Sequence, residues 1–108
     1  MTPPKSSPKR GGLFLRAMKT VFIKVYGKVQ GVFFRQNTIS KAKALNITGY
    51  TLNSQDGTVE IMAQGTPENI DALIAWCHRG PERARVDKVE VKDVEEKFSF
   101  RSFELRYP

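Results

Sequence analysis

The chain has 108 residues, a single cysteine (Cys77), a single histidine (His78) and a formal net charge of +7. This length fits one domain with one modest core, while a lone thiol excludes an internal disulfide and a lone His does not nucleate a His-based metal site. With 40% apolar residues, and no apolar run near the roughly 20 residues of a membrane span, the chain reads as a globular protein in a reducing, cytoplasmic setting.

The charge is unevenly placed. Residues 1–19 hold Lys5, Lys9, Arg10, Arg16 and Lys19 and no acid, whereas residues 20–108 hold 13 basic and 11 acidic residues. Residues 1–17 are rich in Pro, Ser, Gly and cations and lack the apolar surface that offsets ordering entropy. They are expected to form a disordered basic arm ahead of a domain spanning 18–108. Leu13-Phe14-Leu15 is too short for a signal-peptide core, and Met18 offers an internal start.

Residues 20–26 alternate as a strand, with Val21, Ile23 and Val25 on one face and Phe22, Lys24 and Tyr26 on the other. After the turn Gly27-Lys28-Val29-Gln30-Gly31, a helix is expected from about Phe33 to Leu45. Phe34, Thr38, Ala42 and Leu45 lie near helical spacing, with Ile39 beside them. Residues 47–52 and 58–64 read as a hairpin around Asp56-Gly57, with Val59, Ile61 and Ala63 inward. Thr66-Pro67-Glu68 opens a second helix, whose apolar stripe is Ile70, Leu73, Ile74 and Cys77 and whose stop is Gly80-Pro81. His78 and Arg79 suit its negative end. A fourth strand runs over 86–94 through Val89 and Val91, and Phe103, Leu105 and Tyr107 suggest a short terminal strand. The order β-α-β-β-α-β plus a last β predicts an α+β, ferredoxin-like split βαβ sandwich: an antiparallel sheet with two helices on one face.

Two stretches carry chemistry. Gly27–Arg35, reading G-K-V-Q-G-V-F-F-R, joins a strand to a helix. A helix start leaves backbone N–H groups without intrahelical partners, and with the dipole these favour an anion such as phosphate. Arg35 lies about one helical turn in and offers a planar fork of donors. The same residues also make an ordinary tight connection with a surface arginine. No Walker pattern is present. In the second stretch, G-Y-T-L-N-S-Q-D-G-T-V-E-I-M-A-Q-G, Asn53 ends the strand. Its amide both donates and accepts and is suited to holding a water, although Asn is also a common turn former.

G-K-V-Q-G-V-F-F-R is similar to the acylphosphatase signature G-x-V-Q-G-V-x-[FM]-R, and the second stretch resembles the second signature of that family. Gly80–Val89 also resembles it, so the likeness covers about residues 19–107. It implies a stand-alone, prokaryotic-type acylphosphatase: a hydrolase that splits acyl phosphates into a carboxylate and inorganic phosphate. By this resemblance Arg35 and Asn53 are catalytic, and Gln30, Gly31, Val32, Phe33 and Phe34 bind substrate through the loop amides. No metal or cofactor is implied. The expected ligands are a small acyl phosphate and inorganic phosphate, with no specific nucleic acid, no membrane and a monomeric state. Thr51-Leu52 departs from the pattern. Leu52 stands where a basic or polar residue is common, and is expected to tune substrate preference or rate.

Two rival readings remain at this stage. Sheet aromatics such as Phe22 and Tyr26 could stack on RNA, although no RNP1-like segment is present. A carbamoyl-phosphate-handling domain of a larger maturation protein is the other.

Overall fold

The computed structural model describes residues 18–96 and 98–108; the basic arm lies outside them. The elements are β1 (Lys19–Lys28), α1 (Phe34–Ala44), β2 (Thr48–Asn53), β3 (Val59–Gly65), α2 (Pro67–Arg79), β4 (Arg85–Asp93) and β5 (Phe103–Arg106). They form one five-stranded sheet in the order β4-β1-β3-β2-β5. β3 lies at its centre with β1 beside it, and burial alternates along the whole of β3 and through Val21–Val25 of β1. Val21, Ile23 and Val25 are fully buried, facing the helices together with Val59, Ile61 and Ala63 of β3. Burying each such side chain stabilises by roughly 1.5–3 kcal/mol.

Both helices cover the same face, α1 over β2 and β5, α2 over β4 and β1. Phe34, Thr38 and Ala42 form the buried side of α1; Ile70, Leu73 and Cys77 form that of α2. Burial pushes the Cys77 thiol up to about 12, so it packs as a small apolar group. The Phe34 and Trp76 rings meet at 5.2 Å between the helices. α1 ends on left-handed Asn46, with Asn46 N–H donating to Lys43 and Ile47 N–H to Ala42 (2.8 Å), which satisfies carbonyls of its last turn.

Three expectations change. The sheet is mixed, not purely antiparallel: β5 lies parallel to β2, with Leu105 opposite Thr51. β4 ends on one edge of the sheet and β5 occupies the other, so the chain must cross between them. Phe98 and Phe100, stacked at 5.2 Å, lie on that route, and Phe100 meets Tyr50 edge-on at 6.1 Å. Val91 is 43% exposed although it pairs with buried Ile23, since β4 is an edge strand. Finally, a bulge at Tyr26/Gly27 shifts the β1–β4 register, so that Val86 as well as Val89 packs against the core.

Candidate active site

The loop between β1 and α1 is fastened by its valines. Val29 and Val32 are buried, while Gly31 and Phe33 are exposed. Gly31 (φ 75°) and Phe33 (φ 65°) are left-handed, and Val32 between them is not. Alternation of this kind curls successive N–H groups toward one side, the geometry of an anion-binding nest. Glycine takes that conformation freely; a phenylalanine takes it only where its surroundings impose it. Phe33 is also the N-cap of α1, with no side-chain cap hydrogen bond and no acid in the first turn. The first N–H groups of α1 therefore keep their donor capacity and the dipole is uncompensated. Arg35 is the second residue of this helix, earlier than expected, which brings its guanidinium to the same end. The Tyr107 ring lies 6.0 Å from the Arg35 guanidinium carbon.

Asn53 arrives from the opposite side as the last residue of β2, paired with Val59 of β3. Its Oδ1 is buried and has no hydrogen-bond partner in the protein. An unpaired buried acceptor costs about 1–3 kcal/mol, and calls for an explanation in function. The hairpin beyond it is tightly held. Asp56 accepts from the Thr58 hydroxyl (2.6 Å) and N–H (3.0 Å), and pairs with Lys24 at 2.9 Å. The Thr58 hydroxyl first, then Lys24, hold the Asp56 carboxyl well below its ordinary value.

Arg35 and Asn53 share one cleft of about 260 Å³ with Gly31, Phe33 and Phe34. The Phe34 ring itself is buried in the core. Gln30 and Val32 do not line the cleft. The Val32 side chain is buried, and the Gln30 amide donates to the Ser54 (2.8 Å) and Thr58 (2.9 Å) carbonyls instead. Gln36 and Leu105 also border the cleft, and sequence reasoning missed both. Leu105 comes from β5, whose side-by-side packing with β2 no local pattern announces. Gln36 is simply the next residue of the uncapped turn.

Leu52 lies on the other face of the sheet. Thr51 is fully buried toward the helices, and alternation sends Leu52 to the open side, where it pairs with Glu60 and Arg106. An effect on the site would have to pass through the backbone. On that open face Tyr26 is engaged by its neighbours. Lys88 stands 4.9 Å from its ring, and its hydroxyl donates to Glu90 at 2.6 Å. Lys24 of that face pairs with Asp56 and Glu60, and Lys88 with Glu90. Among the described residues no cluster of His, Cys, Asp and Glu is placed to hold a metal ion, and no helix is long and apolar enough to cross a membrane.

The acylphosphatase family model matches residues 21–105. An acylphosphatase of Rubrobacter xylanophilus is 42% identical over 101 residues, which is 94% of this chain and 92% of that protein. One from Methylococcus capsulatus is 47% identical over 77 residues, 71% of this chain and 84% of its own length. The solved structure of an acylphosphatase from Coxiella burnetii superposes with a TM-score of 0.81 at 34% identity, covering 85% of this chain and 96% of that one. The family match spans both the loop that carries Arg35 and the hairpin that carries Asn53, and the chain belongs to the acylphosphatase family of hydrolases.

Proposed function

We propose that this protein hydrolyses acyl phosphates by a metal-independent, in-line attack of water on phosphorus, with Arg35 and the loop amides from Gln30 to Phe34 holding the phosphoryl group and Asn53 placing the water. The observation that carries this reading is the buried, unpartnered Asn53 Oδ1 in the same cleft as Arg35. An unpartnered acceptor on a residue that lines the same cleft as Arg35 suits a molecule that donates to one and is attracted toward the other.

The chemistry follows from the parts. The water oxygen forms a new bond to phosphorus as the bond to the acyl oxygen breaks, and the carboxylate leaves with the electron pair. A carboxylate needs no strong general acid to leave. The water proton passes to a phosphoryl oxygen of the substrate itself. Such a transfer depends mainly on positioning and on charge stabilisation, both of which preorganised donors supply. Inorganic phosphate, as product, should compete for the same donors. A buried free thiol suits a reducing compartment, in keeping with a cytoplasmic enzyme.

The test is hydrolysis of benzoyl phosphate in EDTA by the wild-type, Arg35→Ala and Asn53→Ala proteins. EDTA-resistant turnover lost in both folded variants is the expected result. A well-folded wild type that does not exceed the spontaneous rate would overturn the reading.

A further inference from the structure

We infer that Gln30 is a positioning residue: its side-chain amide ties the phosphate-binding loop to the hairpin that carries Asn53, and so fixes the attacking water relative to phosphorus. This inference rests on the roles given above to the loop and to Asn53.

Gln30 is the residue before Gly31 in the loop, yet its Nε2 reaches across the fold to two carbonyls, Ser54 at 2.8 Å and Thr58 at 2.9 Å. A primary amide has two N–H donors, and both are used. The two acceptors sit at matching places. Ser54 follows Asn53 directly, and Thr58 precedes Val59, the cross-strand partner of Asn53. They also close the turn between them, Ser54 N–H donating to Thr58 at 2.9 Å. One side chain therefore holds both arms of the hairpin just beyond the Asn53–Val59 pair, from an anchor at the edge of the anion nest.

The consequence is geometric. The phosphoryl position is set by the loop between β1 and α1, and the water position by the end of β2. These segments are 24–28 residues apart along the chain, and β1 and β2 are separated in the sheet by β3. Nothing in strand pairing alone sets their spacing to the tolerance that in-line attack demands, where a 1 Å error can cost about 10²-fold in rate. The Gln30 amide supplies a direct link.

The experiment is a double-mutant cycle with Gln30→Met, which keeps length and removes the donors. Wild-type, Gln30→Met, Asn53→Ala and the double variant are compared for kcat, KM and inhibition by inorganic phosphate. The expected result is a fall in kcat of about 10–100-fold for Gln30→Met with phosphate inhibition changed less than about threefold, and a loss that largely disappears in the Asn53→Ala background. Equal losses in both backgrounds, or phosphate inhibition weakening as much as kcat, would overturn the inference. Gln30→Glu covers the case in which the Met variant does not fold. A carboxylate repels the two carbonyls, and its protonated form restores one donor, so kcat should recover as pH falls; a pH profile parallel to wild type also counts against the inference. The Asn53 side-chain NH₂ resonance gives a readout without turnover. If the wild type hydrolyses nothing, the catalytic reading falls, and an Asn53 resonance left unmoved by Gln30→Met then removes the link as well.

Discussion

The two helices begin in opposite ways. α2 satisfies its own start: the Thr66 hydroxyl accepts from Asn69 N–H at 3.3 Å, Pro67 occupies a first-turn position that needs no donor, and Glu68 offsets the dipole. α1 has none of these. Its N-cap is a left-handed, 62% exposed phenylalanine, its first turn contains no acid, and its second residue is an arginine. Each departure costs stability locally, and each adds positive potential to one cleft. A start completed by its own sequence serves the fold; a start left open serves a ligand.

The strongest way to break this comparison is at the two residues that the open start is proposed to work with. Arg35→Ala and Asn53→Ala should each lower kcat/KM by about 10²–10³. Asn53→Ala should leave Tm equal or slightly higher, because it removes a buried acceptor that has no partner. Near-normal kcat/KM in the folded Asn53→Ala protein would sink its proposed role.

Gln36→Glu sharpens the contrast by giving α1 the acid that α2 already has. The helix should gain about 0.3–1 kcal/mol from the dipole, while inhibition by inorganic phosphate should weaken about tenfold through like-charge repulsion. Thermal denaturation and inhibition kinetics thus move in opposite directions. If both stability and phosphate affinity rise, the open start is not an anion site.

Thr66→Ala is the counterpart at α2. It should cost about 1 kcal/mol, or roughly 4–8 °C in Tm for a domain of this size, with kcat/KM unchanged. A change in turnover would show that the two helix starts are not functionally separate.

The smallest effect concerns the turn beside Asn53. The Asp56 carboxyl lies below its ordinary value of 3.8, so its contribution is present above that pH and is lost as the pH falls toward the depressed folded-state value. Its side chain is 49% exposed, which limits the size of the effect. Tm measured from pH 5 to pH 2 should fall less steeply in Asp56→Asn than in wild type; parallel curves would remove Asp56 from the account.

Most of the fold was legible because alternation and helical stripes are local signals. Thr66, Pro67 and the Ile70–Leu73–Cys77 stripe placed α2 with no outside help. β5 was legible as a strand, but its direction was not. Four residues carry no information about which edge they join, and only the crossing past Tyr50 through Phe98 and Phe100 makes the pairing parallel. Val91 reads as core by alternation, yet an edge strand has too little cover to bury it. At the site, Arg35 and Asn53 came from the two motifs. The tasks of Gln30 and Leu105 did not, because one acts on carbonyls far along the chain and the other reaches the cleft through a strand pairing set by the whole sheet.

The interior position of β1, between β4 and β3, has a further consequence for how the molecule comes together. The first strand of the domain finds its partners only well along the chain: Lys19 pairs with Gly65, and Val21 with Asp93. Both edges of an apolar, β-branched segment therefore stay open until distant chain returns, so folding should be slow for a domain of this size and its early states prone to self-association. Lys19, Lys24 and Lys28 punctuate that segment at intervals of four and five residues, placing like charges where two unpaired copies of the strand would otherwise meet.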